Sequence, residues 1–471
     1  MIYTINICYK TWLVALLILV STSLSQAQPK KPYNVLFIAV DDLNDWVAAY
    51  GKHAGVKTPN IDRLAKQGML FTRAYCSAPS CNPSRASMLT GVRPSTSGVY
   101  LNDQPWRPVL PDAVTLPQYF TQNGYDVMGT GKIFHDVYND KASWPVFYPV
   151  PKSLAPANAK KNAEGVADRQ PFDWGPLDVA DSLMADFKIA ERGIDYLKQD
   201  HSKPFFLAVG IIKPHLSWYV PQKYFDMYPL ASVKRPLVIP NDLDDVPPAG
   251  VKMARQQGDH KRITQNNLWE SAVQGYIASI TFADAQIGRL LNALDKSKYK
   301  QNTIVVLFGD HGWNLGEKEH WRKFALWEET THVPFIISAP GMVKANTVCN
   351  RTVNLMDVYP TLIDMCNFPA RKNMEGISIY ALLKNPKLEW HHPSVTTWQR
   401  NNHSVRTERW RYTRYNDGGE ELYDHNIDPH EWKNLASDKK LFGIKKQLAI
   451  WMPKVNAANA PSENRAGSNG E

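Results

Sequence analysis

Val35-Leu36-Phe37-Ile38-Ala39-Val40-Asp41-Asp42 is the stretch that decides the architecture. Six apolar residues in a row, several of them β-branched, read as a strand buried on both faces, the pattern of a parallel sheet covered by helices. The run stops at two adjacent carboxylates. Open α/β sheets place their ligands at the carboxyl ends of their strands. Two carboxylates side by side repel, so the pair calls for a cation, and hard oxygen donors suit calcium or magnesium. An isolated Asp-Asp is more often a solvated loop; later strands reverse that reading. Phe205 to Ile212 is a second apolar run and opens into Lys213-Pro214-His215. The proline ends the strand, so His215 projects from the sheet edge. Thr303 to Phe308 is a third, ending in Gly309-Asp310-His311-Gly312, where a carboxylate and an imidazole complete the site begun by Asp41 and Asp42.

Helices fill the intervals. Thr58 to Gly68 has an N-cap residue, a proline in the first turn, an apolar stripe and a glycine stop. Residues 181–198 and 267–295 carry apolar positions at helical spacing and read as packing helices. Cys81-Asn82-Pro83-Ser84-Arg85-Ala86-Ser87-Met88-Leu89-Thr90-Gly91 reads as a short helix, with Asn82 as N-cap, Pro83 in the first turn and Gly91 as a left-handed stop. Cys81 then sits at the positive end of the helix, a ready anion site, with Arg85 one turn on. Tyr125 to Gly129 is a further short strand, leading into Gly131-Lys132-Ile133-Phe134-His135; Lys132 and His135 share a face if that turn is helical.

The 471 residues, 44% of them apolar, allow one large domain and a smaller one. Lys10, the nine apolar residues Trp12 to Val20 and the small-residue site Ser25-Gln26-Ala27 read as an export signal over 1–27. That run is too short to span a bilayer, and no later stretch is long and apolar enough. Losing Lys10 takes the net charge from +9 to +8, a balance that suits a polyanion. No nucleic-acid signature accompanies it. Cys76, Cys81, Cys349 and Cys366 are too few and scattered for a disulfide scaffold; a Cys349–Cys366 bond stays open. Residues 150–170 read as a surface loop. Residues 409–415 alternate as an antiparallel strand with a solvated face, and Glu421 to Asp424 as its partner. From 456 onward the composition reads as disordered.

Cys81-x-Pro83-Ser84-Arg85 followed by Leu89-Thr90-Gly91 resembles the signature of the type I, formylglycine-dependent sulfatases. Asp41-Asp42, Gly131-Lys132 with His135, Lys213-Pro214-His215, Asp310-His311 and Lys323 match other segments of that family, and Asp310-His311 brings the chain nearest its iduronate 2-sulfatase branch. Leu216-Ser217-Trp218-Tyr219 departs from the iduronate enzymes. The resemblance implies an alkaline-phosphatase-like α/β fold, a mostly parallel sheet between helices over 30–385. A small α+β subdomain with an antiparallel sheet follows over 390–455. It implies a sulfuric ester hydrolase acting on a sulfated sugar or polysaccharide in the periplasm or outside the cell, matured by a formylglycine-generating enzyme. Its metal, by resemblance calcium, falls to Asp41, Asp42, Asp310, His311 and residue 81. Lys132 and Lys323 hold the sulfate, with Arg322 the adjacent alternative to Lys323. Arg85 polarises a hydroxyl of the formylglycine hydrate, His215 protonates the departing sugar oxygen with help from Lys323, and His135 takes the proton of the second hydroxyl. Two other readings share these residues: a formylglycine phosphonate or phosphodiester hydrolase, and an inactive carbohydrate-binding relative with an unmodified Cys81.

Overall fold

The computed structural model describes residues 32–53, 55–151, 172–256 and 258–463. The expected export signal and nearly all of the expected 150–170 loop lie outside them. At the centre is an eight-stranded sheet. Its strands in chain order are β1 (Asn34–Val40), β2 (Met69–Tyr75), β3 (Asp126–Gly131), β4 (Val146–Tyr148), β5 (Phe205–Ile211), β6 (Thr303–Gly309), β7 (Phe335–Ser338) and β8 (Thr347–Asn354). Their spatial order is β8-β2-β7-β6-β1-β5-β3-β4. Only β7 runs against its neighbours, so the sheet is mostly parallel, as the apolar runs imply.

The first strand shows why both faces are covered. Leu36, Ile38 and Val40 enter one core with Ile189, Tyr276 and Leu290 from the helices Ala185–Lys198 and Trp269–Lys296. Val35, Phe37 and Ala39 enter the opposite core with Met88, Phe120 and Leu362 from the helices Cys81–Thr90, Leu116–Gln122 and Val358–Met365. Every side chain of β1 is fully buried, and each large apolar one contributes about 1.5–3 kcal/mol by leaving water. The strand ends therefore form a rigid rim for polar residues. The long helix also pins the loop after β1, because the Tyr276 hydroxyl donates to the Asp42 carbonyl at 2.7 Å and accepts from the Asn44 amide at 3.0 Å.

A second sheet of four antiparallel strands follows: β9 (Ser394–Thr397), β10 (His403–Arg406), β11 (Trp410–Arg414) and β12 (Glu420–Asp424). It bonds back to the main sheet's connections, with Thr396 Oγ1 donating to the Cys76 carbonyl at 2.6 Å and the Thr397 amide to Ser77 at 2.9 Å. The solvated face expected here is only partial: Arg409 and Arg414 are exposed, but neighbouring arginines are not. Arg411 is 0% exposed and Arg406 4% exposed, because buried Glu328, from a connection of the main sheet, neutralises both and Glu431, just after β12, neutralises Arg411 as well. Residues 456–463, expected to be disordered, instead hydrogen-bond to the 95–103 segment. Apolar pattern does not reveal such backbone pairing. Cys76, Cys81, Cys349 and Cys366 are all free thiols.

Candidate active site

Five connections bring their polar residues to the carboxyl rim of the main sheet. Asp41 and Asp42 follow β1, Cys81 lies beyond β2, Lys132 follows β3, Lys213 and His215 follow β5, and Asp310 and His311 follow β6. Asp42 has φ 58°, a left-handed turn that aspartate tolerates. Gly312 is required by crowding, since a Cβ there would stand 2.0 Å from the Glu329 carbonyl oxygen. That close approach joins the His311 turn to the segment that carries Lys323.

The sulfur of Cys81 is the centre of the cluster. Lys323 Nζ lies 3.0 Å from it, His311 Nε2 3.3 Å, Asp41 Oδ1 3.5 Å, Lys132 Nζ 3.7 Å and Asp42 Oδ1 4.0 Å. Lys132 pairs with Asp41 at 2.6 Å and Lys323 with Asp42 at 2.9 Å. Arg85 stands behind them. Its Nε donates to Asp310 Oδ2 at 2.7 Å and its Nη2 to Asp41 Oδ1 at 3.1 Å, while Nη1 bonds the carbonyls of Lys132 and Ile133. Asp310 Oδ1 accepts from the amides of Asp42 and His311 at 3.0 and 3.1 Å. Arg322, adjacent to Lys323, turns away to Asp259 at 2.6 Å, so it is Lys323 that reaches the cluster.

His215 stands at the edge, with Nε2 4.0 Å from Asp42 Oδ2. Its Nδ1 lies 2.7 Å from the Leu216 carbonyl, the geometry of a donated N–H. The Lys132 turn is a bend rather than a helix, so helical spacing does not relate Lys132 to His135. His135 is buried on that segment beside Tyr138, ring centroids 6.0 Å apart.

The helix bearing Cys81 starts two residues earlier than its sequence suggests. Cys81 is its first residue, Ser80 is the N-cap without a side-chain cap bond, and Gly91 ends it with φ 78°. Asn82, the expected cap, is inside the helix, and its amide donates to Asn102 Oδ1 at 3.0 Å. Sequence spacing does not show this cap because it comes from another loop. Lys213 and Ser84 are neighbours that pattern reading also passes over as site residues. Lys213 Nζ donates to the His215 carbonyl at 2.9 Å, and Ser84 Oγ to that of Asp310 at 2.6 Å.

Burial and charge set the protonation of the cluster. Burial raises Asp41, but Lys132 and Arg85 outweigh it and hold the carboxyl well below its ordinary range. Asp42 is pushed up to about 7 by burial, which Lys323 only partly offsets. Burial would lower His311, yet Asp310 and the sulfur of Cys81 raise it to about 9. Burial and Asp41 raise the Cys81 thiol, but Lys132, Lys323 and His311 bring it below its usual value. Burial takes Lys213 down to about 8 and drives His215 well below the usual imidazole range.

Asp41, Cys81, Asp310 and His311 place one ligand atom each within 4.8 Å of one another, and so do Asp41, Asp42, Cys81 and His215. Asp42 Oδ2 is buried with no hydrogen-bond partner. A buried carboxylate oxygen without a donor is costly unless a cation takes it, so the donor set fits a divalent metal.

A family model described as Sulfatase matches residues 33–368, and one described as N-sulphoglucosamine sulphohydrolase, C-terminal, matches 316–458. A protein named Sulfatase from Formosa agariphila is 38% identical over 450 residues, 92% of this chain and 88% of that one. Iduronate 2-sulfatase of Homo sapiens is 34% identical over 374 residues, 74% of this chain and 67% of that one. A solved 2-O GAG sulfatase superposes with a TM-score of 0.70 at 25% identity, covering 93% of this chain and 99% of that one. With a family match that runs from the strand of Asp41 past the loop of Lys323, this chain belongs to the sulfatase family and is a sulfuric ester hydrolase.

Proposed function

We propose that this protein removes sulfate from a sulfated sugar or polysaccharide, in the manner of iduronate 2-sulfatase, through a formylglycine derived from Cys81. The observation that carries the reading is the setting of residue 81. It is fully buried at a helix N-terminus, with the ammonium groups of Lys323 and Lys132 at 3.0 and 3.7 Å from its sulfur and a metal-ligand set of which it is itself a member. The likeness to the human iduronate enzyme and to the 2-O GAG sulfatase supports a sulfated uronate sugar.

Asp41, Asp42, Asp310 and His311, with residue 81, would hold a divalent cation, which we take to be calcium and which would supply positive charge to a sulfate oxygen. A formylglycine at 81 would supply a hydrated aldehyde, one hydroxyl to attack sulfur and a second to let the sulfate leave. The chain's own residues do the rest. Lys132 and Lys323 bind the sulfate oxygens and neutralise them where charge builds up. Arg85 holds Asp41 and Asp310 in place. Lys323, which stays protonated, is the cation nearest residue 81. His215 keeps its Nδ1 proton on Leu216, so only Nε2 faces the site; we assign it the leaving oxygen's proton, given from Nε2 by the imidazolium that a bound sulfate favours by offsetting Lys132 and Lys323, with Lys323 as the second donor. His135 accepts the proton that releases sulfate. We also propose export by the 1–27 leader, a catalytic division over 30–385 and a C-terminal subdomain over 390–455.

The test combines mass and turnover. Co-produced with a formylglycine-generating enzyme, the Cys81 peptide should carry an aldehyde, and a 2-O-sulfated uronate disaccharide should be desulfated. Full activity with a free thiol at 81 overturns the formylglycine reading. Faster turnover of a phosphonate ester assigns the site to that chemistry instead. A thiol with sugar binding and no turnover shows an inactive relative.

A further inference from the structure

The stretch after the last helix (Phe442–Ala449) pairs with the 95–104 loop that follows the helix of Cys81. The amides of Ala457, Ala460 and Glu463 donate to the carbonyls of Ser95, Gly98 and Asp103 at 2.9, 2.8 and 2.9 Å. The loop reciprocates, with the Tyr100 hydroxyl donating to Ala457 at 3.0 Å and Gln104 Nε2 to Ala460 at 2.9 Å. The contact is close enough to require glycine. At Gly98, with φ +78°, a Cβ would stand 2.2 Å from the Ala458 carbonyl oxygen. Asn456 is fixed where the stretch begins, its Oδ1 2.7 Å from His403 Nε2 and its carbonyl accepting from Arg400 Nε at 3.2 Å.

The same loop holds the first turn that carries residue 81. Gln104 Oε1 accepts from the amides of Tyr100 and Leu101 at 2.6 and 2.9 Å, which folds the loop tightly. The carbonyls of Gln104 and Leu101 accept from Asn82 Nδ2 at 2.7 and 2.9 Å. Asn102 Oδ1 accepts from the Asn82 amide at 3.0 Å and from Ser80 Oγ at 2.7 Å. Ser80 and Asn82 flank residue 81, and the helix has no local side-chain cap. An uncapped N-terminus frays unless an outside acceptor satisfies it.

We propose that Asn456–Glu463 is a positioning strap. Through Gln104 and Asn102 it fixes the first turn of the helix, and so the place of residue 81 between Lys132 and Lys323. Gln104 is the positioning residue that joins strap to loop. The inference rests on residue 81 being the reacting centre, and its test has one readout independent of that reading.

Two variants isolate the strap. One ends the chain after Asn456, keeping the bonds of that residue. The other is full-length Gln104→Glu, which keeps an acceptor for Tyr100 and Leu101 but sets an oxygen against the Ala460 carbonyl. Made without a maturation enzyme, both keep Cys81 as a buried thiol, and its alkylation by iodoacetamide reports opening of the first turn. The expected result is alkylation of Cys81 about tenfold faster in each variant, with buried Cys76 unchanged. In matured protein, kcat on nitrophenyl sulfate should fall about tenfold with KM within about twofold, and combining the changes should add little. Unchanged protection of Cys81 overturns the strap, and so does a joint rise of Cys76 and Cys81, which marks general loosening. A wild-type protein without sulfatase activity defeats the functional reading, while the thiol measurement still decides the strap.

Discussion

Among the described residues, the buried charge clusters around Arg411 and around Cys81 are built on opposite principles. Around Arg411, every carboxylate oxygen has a donor. Glu328 Oε2 takes Arg406 at 3.1 Å and Arg411, and its Oε1 takes the Tyr75 hydroxyl at 2.9 Å. Glu431 Oε1 takes Arg411 and His425, the latter at 2.8 Å, and its Oε2 takes the Glu328 amide at 2.9 Å. Glu328, His425 and Glu431 are near enough to hold a metal, but guanidinium groups already stand on both carboxylates. Around Cys81, by contrast, Asp42 Oδ2 and His215 Nε2 are buried without hydrogen-bond partners, and two lysines converge on one sulfur. The closed cluster joins the C-terminal sheet to the segment of Lys323. The open one leaves binding capacity for a ligand. Burial alone does not mark a functional site; unsatisfied burial does.

The largest expected effect tests the open cluster. Cys81→Ala should abolish sulfate ester turnover while leaving thermal unfolding within a few degrees of wild type; residual turnover near wild type removes residue 81 from the chemistry. Next comes His215→Ala. A sugar alcohol leaves poorly, so general-acid help is worth roughly 10²–10⁴-fold, whereas nitrophenolate leaves almost unaided. The variant should lose that much on a sulfated sugar and far less on nitrophenyl sulfate. Equal losses on both would leave the acid role to Lys323 alone.

Glu328→Gln probes the closed cluster. It leaves Arg411 and Arg406 short of buried counter-charge, which costs about 3–5 kcal/mol, and should lower the denaturation midpoint without changing how far calcium stabilises the protein. Asp42→Asn should do the reverse, raising metal-free stability slightly and removing the calcium response. If Glu328→Gln abolishes the calcium response and Asp42→Asn does not, the contrast between the clusters fails.

The smallest effect is one of pH. Asp42, pushed from 3.8 to about 7, takes stability away as pH rises between those values. His311, raised from 6.5 to about 9, contributes stability that is whole below 6.5 and lost as pH rises through 9. A cation must displace protons from both, so calcium should raise the midpoint more at about pH 8 than at about pH 6. Calorimetry in two buffers should show proton release, and its absence would remove Asp42 and His311 from the ligand set.

The sequence by itself determined the main sheet and which polar residues gather at its carboxyl rim. Unbroken runs at Val35–Val40, Phe205–Ile212 and Ile304–Phe308 leave no polar face, so these strands had to lie inside a covered sheet. Polar residues at their ends had to share one rim, since parallel strands end on one edge. Only the tertiary structure decided where charge is satisfied. Arg411 lies in a strand read as having a solvated face, and is buried because Glu328 and Glu431 reach it from outside that strand. Asn82 reads as a cap, and yields that place because Asn102 supplies an acceptor twenty residues on. Residues 456–463 have no apolar pattern, and are held by hydrogen bonds of their backbone to the distant 95–104 loop. Apolar burial is written in local periodicity; hydrogen-bond and ion-pair satisfaction depends on partners that only the completed fold brings together.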